Sequence, residues 1–349
     1  MLNIIIEDGL SLKQERGIGQ YTNRLYEILS KDYCVKIKRK YFLENIKNST
    51  IRRILYCLWL NSFFLLYLLF QKRGTICFFT ATMTPIIKLS NIKYVSVIHD
   101  IRSVIHPELS TKIQNIHANF VNWTAINFSD ILITVSNTVK EEIIKYYKVD
   151  KSKIKIVNNT CSITNVKYDT SEKILKLYNL VSKNYLFFIG GLDKNKNVQL
   201  IIDSFNRISE SFPNLKLVVA GTKGNDRLIS KNPNIIFTGF ISNEDVKVLY
   251  KNALIYLFPS LYEGFGIPII DAQLLQTPVI CSDIPVFKEV AGDGALFCDL
   301  NVKSLTNKIT ILLNSENLRN TLIQKGLTNK ENFCCNKIKK QLELLIHEY

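Results

Sequence analysis

Short apolar runs separated by longer amphipathic segments recur along nearly the whole chain. This alternation constrains the fold more than any other feature. In the first half, residues 2–6, 34–38, 75–79, 94–98, 131–135 and 154–157 read as strands, and residues 19–30, 113–128 and 138–147 as helices. Thr138 and Glu141 have capping-box spacing at the start of the last of these. The pattern then restarts. Strands are expected at 185–189, 215–220, 235–238, 255–258, 278–281 and 295–297, with helices at 198–210, 245–252, 267–275 and 302–313. Such alternation predicts parallel sheets covered by helices, and two series predict two doubly wound α/β domains in tandem. A length of 349 residues fits two domains. The expected bounds are 1–165 and 185–330, with the polar stretch 166–184 as hinge and a last helical piece in 331–349.

The net charge is +15, with 47 % hydrophobic and 21 % charged residues and a mean hydropathy of +0.06. This excludes a disordered chain and a small disulfide scaffold. Residues 1–165 carry 23 Lys/Arg against 12 Asp/Glu, whereas residues 166–349 carry 22 against 18. A basic first half calls for an anionic partner: a phosphorylated substrate, an acidic lipid or nucleic acid. The eight cysteines form no CxxC and no zinc-finger spacing. Most lie in apolar stretches, so buried, reduced thiols of a cytosolic protein are expected. The start, MLNIIIEDGL, reads as a first strand, and no secretory signal is expected.

Residues 54–70, ILYCLWLNSFFLLYLLF, are almost wholly apolar and are flanked by Arg52–Arg53 and Lys72–Arg73. As a helix they span ~26 Å, short of a ~30 Å hydrocarbon core. The first expectation is a core helix buried on several sides. The second is a helix resting an exposed apolar face in an anionic membrane surface. A transmembrane span ranks third, because the segment sits mid-domain between strands.

The most informative motif is FPSLYEGFGIPIID, residues 258–271. A strand ends in a loop carrying Glu263 and two glycines, and a helix begins near Gly266–Pro268. Glycines let backbone approach a ligand, and free N–H groups at a helix start favour phosphate. A carboxylate held there accepts hydrogen bonds from sugar hydroxyls. Taken alone, the same residues also describe an ordinary strand–loop–helix crossover. His99-Asp100 ends another strand, where open parallel sheets meet their ligands. Gly17-Ile-Gly19 is not GxGxxG, so a dehydrogenase reading is weak.

EGFGIPIID resembles the donor-site signature of glycosyltransferase family 4, in which two glutamates flank seven residues. Here Glu263 is the first, and Asp271 stands in the place of the second. The resemblance extends through IGGLDKNKNV, TPVICSDIPVFKEVAGDGALF and GFISNEDVKVLYKNA, and in the first half through RGIGQYTNRL, VIHDI with His106-Pro107, and ITVSNTVKEEI. It covers roughly residues 1–315. It implies the GT-B fold, two Rossmann-like domains facing a cleft, with an acceptor-side first domain and a nucleotide-sugar-binding second domain. The last helix, near 337–347, is expected to pack back on the first domain. The resemblance also implies transfer of a hexose with retained configuration, usually without a metal.

By the same resemblance, Lys196 is the cation facing the leaving diphosphate. Gly191 stands where the family often has Arg, which makes Lys194 a candidate to share that task. His99 is expected to face the donor sugar, so His99, Glu263 and Lys196 form the catalytic set. Donor contacts are expected from Gly19, Gly190, Lys196, Ile241, Glu263, Gly264, Phe265, Gly266, Ile267 and Asp271, and acceptor-side contacts from Arg16 and Asp100. Ser136 reads as a helix cap rather than a catalyst. No metal site is expected, and the nucleotide sugar is a substrate rather than a cofactor.

The pattern around VIHDI resembles the mannosyltransferase-like part of the family. The leading expectation is therefore mannose transfer from GDP-mannose to a lipid-linked oligosaccharide in bacterial O-antigen, lipopolysaccharide or capsule assembly. Such an enzyme would be cytoplasmic and peripheral on the inner face of the membrane, and would not bind nucleic acid. Three alternatives remain open: a sugar-nucleotide epimerase of the same fold, a non-catalytic basic nucleic-acid-binding protein, and a catalytically inactive partner subunit, to which Asp271 and Gly191 in the places of Glu and Arg would correspond.

Overall fold

The computed structural model describes residues 2–9, 17–38, 40, 43, 45–46, 48–163, 173–222 and 230–347. The chain forms two compact units, Met1–Asn159 with Cys335–Tyr349, and Thr160–Cys334. The divisions fall at 159/160 and 334/335, ahead of the expected hinge at 166–184 and slightly after the expected break at 330/331. Helix Lys173–Leu177, inside the expected hinge, belongs to the second unit. Residues 164–172 of that stretch lie outside the described residues.

The first unit holds one parallel sheet of β1 (Asn3–Glu7), β2 (Cys34–Lys38), β3 (Thr75–Phe79), β4 (Ile92–Ile98), β5 (Ile131–Thr134) and β6 (Ile154–Ile156), in the order β2-β1-β3-β4-β5-β6. Strands β3 and β5 are buried at every position. That is why they read as unbroken apolar runs: helices cover both faces of such a sheet. The edge strand β2 keeps Cys34 and Lys36 exposed. The second unit repeats the plan with β7 (Tyr185–Ile189), β8 (Lys216–Ala220), β9 (Ile235–Gly239), β10 (Ile255–Phe258), β11 (Val279–Ser282) and β12 (Ala295–Cys298), ordered β12-β11-β10-β7-β8-β9. Strand order therefore reverses between β1 and β3 in one sheet and between β7 and β10 in the other. At such switch points the loops leaving the carboxyl ends of adjacent strands part to opposite faces and open a ligand crevice.

The helix Cys335–His347 returns to the first unit. It packs on helix Ile18–Leu29, and its Lys339 pairs at 2.7 Å with Asp32 in the turn beyond that helix. The helix at Asn137–Tyr147 is capped by Ser136, whose Oγ accepts the Val139 N–H at 3.2 Å. Thr138 lies inside it, so the capping box expected from Thr138 and Glu141 does not form. The reciprocal box occurs instead at Thr111 and Gln114, starting helix Lys112–Phe128. All eight cysteines are free thiols. Cys77, Cys281 and Cys298 are buried as expected, whereas Cys34 and Cys335 are exposed.

Residues 49–69 form one continuous helix, built of Ser49–Trp59, a π turn at Leu60–Phe64, and Leu65–Leu69. The expectation of burial on several sides is not met. Tyr56, Leu60, Phe64 and Leu68 face the core, while Leu58, Phe63, Leu66 and Leu69 are exposed. The buried positions are spaced by four. On a plain α-helix each such step overshoots a turn by about 40°, so the set would drift off the core face. The wider i→i+5 turn absorbs one residue and returns the phase. Asn61 and Ser62 stabilise it by donating to the carbonyls of Cys57 and Leu58, at 2.9 and 2.6 Å.

Candidate active site

In the second unit the loops leaving β7 and β10 meet at the switch point. The β7 loop turns through a short helix at Lys194–Lys196. Its Asn195 Nδ2 donates to the Tyr262 carbonyl at 2.8 Å, and the Leu261 N–H donates to the Asn195 carbonyl at 2.8 Å. This stitching brings the Lys196 ammonium onto Glu263 Oε1 in a partly exposed ion pair. The ammonium also lies 5.2 Å from the centre of the Phe258 ring. Lys196 and Glu263, both expected in the catalytic set, are thus brought together. Lys194 is exposed on the same turn.

Gly190 leaves β7 beside this pair; a Cβ on it would lie 3.9 Å from the Lys196 side chain. Gly221, at the end of β8, has φ +136, and a Cβ there would lie 1.8 Å from the Gly190 carbonyl oxygen. Only glycine permits that backbone approach. Its N–H donates to the Gly239 carbonyl at 2.8 Å, so the carboxyl ends of β7, β8 and β9 are drawn together, with Ile241 in the turn that follows. Gly266 caps helix Ile267–Leu274 with φ +129, and a side chain there would press Phe287 and Ile269 at 3.1 and 3.3 Å. Gly264 and Phe265 are buried, and Phe265 meets the edge of Phe333 at 5.4 Å.

Asp271 does not join Lys196 and Glu263 in that ion pair. It is buried one turn along the helix, where Oδ1 accepts the Ser162 and Ile163 N–H groups at 2.7 and 3.3 Å and Oδ2 accepts the Ser162 hydroxyl. Its carboxylate holds the chain just after it enters the second unit.

In the first unit the switch point gathers His99, Thr80 and the start of helix Ile18–Leu29. His99 follows β4, and its Nε2 is 2.8 Å from the Thr80 carbonyl. A carbonyl only accepts, so Nε2 carries the hydrogen and Nδ1 keeps its lone pair. Burial pushes the imidazole below its ordinary pKa, against smaller opposing effects from Thr80 and Asp100. The Tyr21 ring meets His99 edge-on at 5.1 Å. Thr22 donates to Thr80 Oγ1 at 2.7 Å, tying the first helical turn, with buried Gly19, to the same place. Asp100 is exposed and accepts the Arg102 N–H at 3.0 Å. Arg16 lies outside the described residues.

The sequence reading missed a charged cluster beside this site. Glu7 ends β1 fully buried, and Lys40 pairs with both Glu7 and Asp8, the latter at 2.8 Å. Tyr56 donates to Glu7 Oε2 at 2.8 Å, and the Lys40 ammonium lies 4.9 Å from the Trp59 ring. Burial raises the Glu7 pKa, and Lys40 opposes that rise. A carboxylate closing a buried strand was the available signal. Among the described residues, no group of three His, Cys, Asp or Glu is arranged to hold a metal ion.

Residues 171–328 match the model for glycosyl transferases group 1, and residues 55–163 match the model for glycosyltransferase family 4. The first match contains Lys196, Glu263 and Asp271; the second contains His99 and Asp100. Over 314 residues the chain is 31 % identical to the O-antigen chain mannosyltransferase RfbU of Salmonella typhimurium, covering 82 % of this chain and 83 % of that protein. This chain belongs to glycosyltransferase family 4. It is also 26 % identical over 251 residues to the O-antigen chain mannosyltransferase B of Escherichia coli, covering 68 % of this chain and 66 % of the relative. Among solved structures, WaaG, a glycosyltransferase involved in lipopolysaccharide biosynthesis, superposes with a TM-score of 0.74 at 14 % identity, covering 99 % of each chain. Sucrose-phosphate synthase from Thermosynechococcus elongatus gives 0.76 at 18 % identity, covering 100 % of this chain and 99 % of that one. The fold is therefore GT-B, and this family-4 chain is a glycosyltransferase.

Proposed function

We propose that this enzyme transfers mannose from GDP-mannose, with retention of configuration, to a lipid-linked oligosaccharide during O-antigen or capsule assembly. We place it in the cytoplasm, peripheral on the inner face of the membrane. The mannose reading is supported by the two O-antigen mannosyltransferase relatives. The observation that carries the donor site is the Lys196–Glu263 pair at the β7/β10 switch point.

The chemistry follows from these residues. The bond between the anomeric carbon and the diphosphate oxygen breaks, and negative charge grows on the departing GDP. Lys196, fixed beside Phe258, stabilises that charge, and the glycine-bordered loops and the helix start at Ile267 add backbone N–H donors. Glu263 accepts hydrogen bonds from sugar hydroxyls. The acceptor hydroxyl attacks the face the diphosphate leaves, and its proton passes to the departing phosphate oxygen. Neutral His99 offers Nδ1 to a sugar hydroxyl, because Nε2–H is held by Thr80. Gly19 and Ile241 remain donor candidates, and Arg16 and Asp100 acceptor candidates. Asp271, which holds the chain at Ser162, remains a donor candidate as well.

The test is thermal stability with GDP, UDP, dTDP and ADP, each at high excess. A nucleotide at 100 times its dissociation constant adds ~2.7 kcal/mol if it binds only the folded state. Stabilisation by GDP alone, abolished in Lys196→Ala, is the expected result. Selectivity for another nucleotide replaces the mannose donor, and no response to any of the four removes the donor site.

A further inference from the structure

The first unit carries an exposed apolar surface built from two helices and a segment hydrogen-bonded to both. Helix 49–69 presents Leu58 and Phe63, and Phe70 follows at its end, the last two 73 % and 81 % exposed. Helix Lys112–Phe128 presents Ile113, Ile116 and Trp123, with Ile116 69 % exposed. Between them lie Ile86 and Ile87, also exposed. Hydrogen bonds join the three pieces. Asn61 Oδ1 accepts the Ile86 N–H at 2.7 Å, and Thr84 Oγ1 donates to the Thr124 carbonyl at 2.9 Å. Val121 packs against the cluster that buries the inner face of helix 49–69. Burial lowers the pKa of His117, and the charge of Arg53, on that helix, lowers it further.

The charge pattern is one-sided. From Asn45 to His99 the sequence has seven Lys or Arg and no Asp or Glu, and residues 112–128 contain no Asp or Glu either. Lys88 and Lys93 pair with Asp130, at 2.7 and 3.8 Å, whereas Lys72 and Arg73 are exposed just beyond helix 49–69. Exposed aliphatic and aromatic side chains on segments rich in cations match an anionic lipid headgroup layer with acyl chains beneath it. A second copy of the chain is a poor occupant, since a two-fold interface would set like charges together. A transmembrane span is a poor description of helix 49–69, because Tyr56, Leu60, Phe64 and Leu68 are locked in the core and Tyr56 is bonded to buried Glu7.

We infer that helix 49–69, Ile86–Ile87 and helix Lys112–Phe128 together form one docking surface for an anionic bilayer, seated in the interface rather than across it. This deepens the reading of a membrane-bound acceptor and rests on it for its biological sense. Its test uses no sugar, so the two stand or fall separately.

The experiment is sedimentation of the full chain with phosphatidylcholine vesicles, with and without phosphatidylglycerol, across a salt series. Three variants are compared: Leu58→Ser/Phe63→Ser, Ile113→Ser/Ile116→Ser, and Lys72→Glu/Arg73→Glu. All six positions are exposed. Circular dichroism and nucleotide-induced stabilisation check that each variant is folded. The expected result is binding that needs phosphatidylglycerol and weakens with salt. Each apolar variant should lose roughly tenfold in partitioning, and the charge variant should lose most at low salt. Equal binding to neutral vesicles overturns the proposal, as does a second-helix variant that binds like the wild type. Light scattering that shows a dimer dissociated by these substitutions gives the surface to a second copy instead. If one variant fails to fold, the other two still decide the result.

Discussion

Asp271 and Ser162 lie 109 residues apart in sequence, yet one carboxylate engages both the main-chain N–H and the hydroxyl of the serine. The position corresponding to the second glutamate of the family's donor signature therefore holds the chain where it enters the second unit. Asp271→Ala leaves the buried Ile163 N–H and the partly buried Ser162 N–H without this acceptor and should cost about 3 kcal/mol, seen as a lower midpoint in urea or heat. Asp271→Asn keeps one acceptor oxygen and should recover part of the loss. If GDP still stabilises both variants by the wild-type increment, Asp271 is a scaffold residue. If the increment vanishes, the carboxylate contacts the donor.

Lys196→Met separates charge from packing. The methionine keeps an apolar stem against Phe258 but removes the ammonium facing Glu263. Thermal stability without ligand should change little, because the pair is partly exposed and such pairs contribute little. Transfer activity should fall by roughly 10²–10³ in kcat, the usual effect of losing one group aimed at developing negative charge. Wild-type turnover in this variant would remove Lys196 from the mechanism.

His99 makes stability depend on pH. Burial holds its folded-state pKa below the ordinary value of 6.5, so the unfolded chain binds the proton more readily. Stability should therefore fall as pH drops from above 6.5 towards the folded-state pKa, and level off below it. His99→Gln should flatten this part of the profile, measured as unfolding midpoints from pH 5 to pH 8 against wild type. A variant with the wild-type slope would assign the dependence to another group.

The buried Lys40 is a stability determinant that the activity does not explain. Lys40→Ala leaves Glu7 and Asp8 without their shared cation in a place water does not reach. A loss of about 3–5 kcal/mol is expected. Tyr56→Phe removes only the hydroxyl that donates to Glu7 and should cost about 1–2 kcal/mol. Chemical denaturation of both variants checks the ranking; equal losses would mean the tyrosine, not the lysine, satisfies Glu7.

Strands of both sheets were legible because burial on two faces leaves only apolar residues between turns; β3, β7 and β10 occur at the positions expected. Helix Glu316–Asn329 was not legible, since only Leu322 and Gly326 are buried along it and little periodicity results. Lys196 and Glu263 could be singled out from local motifs. Their stitching could not: Asn195 reaches Tyr262 across 67 residues, and Lys40 reaches Glu7 across 33. Residues 54–70 defeated the reading for a different reason. A segment apolar on every side carries no phase, so only the neighbours it meets decide which face is buried.

The π turn gives helix 49–69 one residue more than its inner face needs. Without that residue, the buried four would fall at steps of four, three and four, which a plain α-helix keeps on one side. A one-residue deletion between Leu60 and Phe64 should thus be absorbed by local rewinding, with the core left in place. The same deletion elsewhere in the helix would turn everything beyond it by about 100°. What the extra residue supports is the outward display of Asn61 and its hold on Ile86. Length, in this helix, is a property of the outer surface.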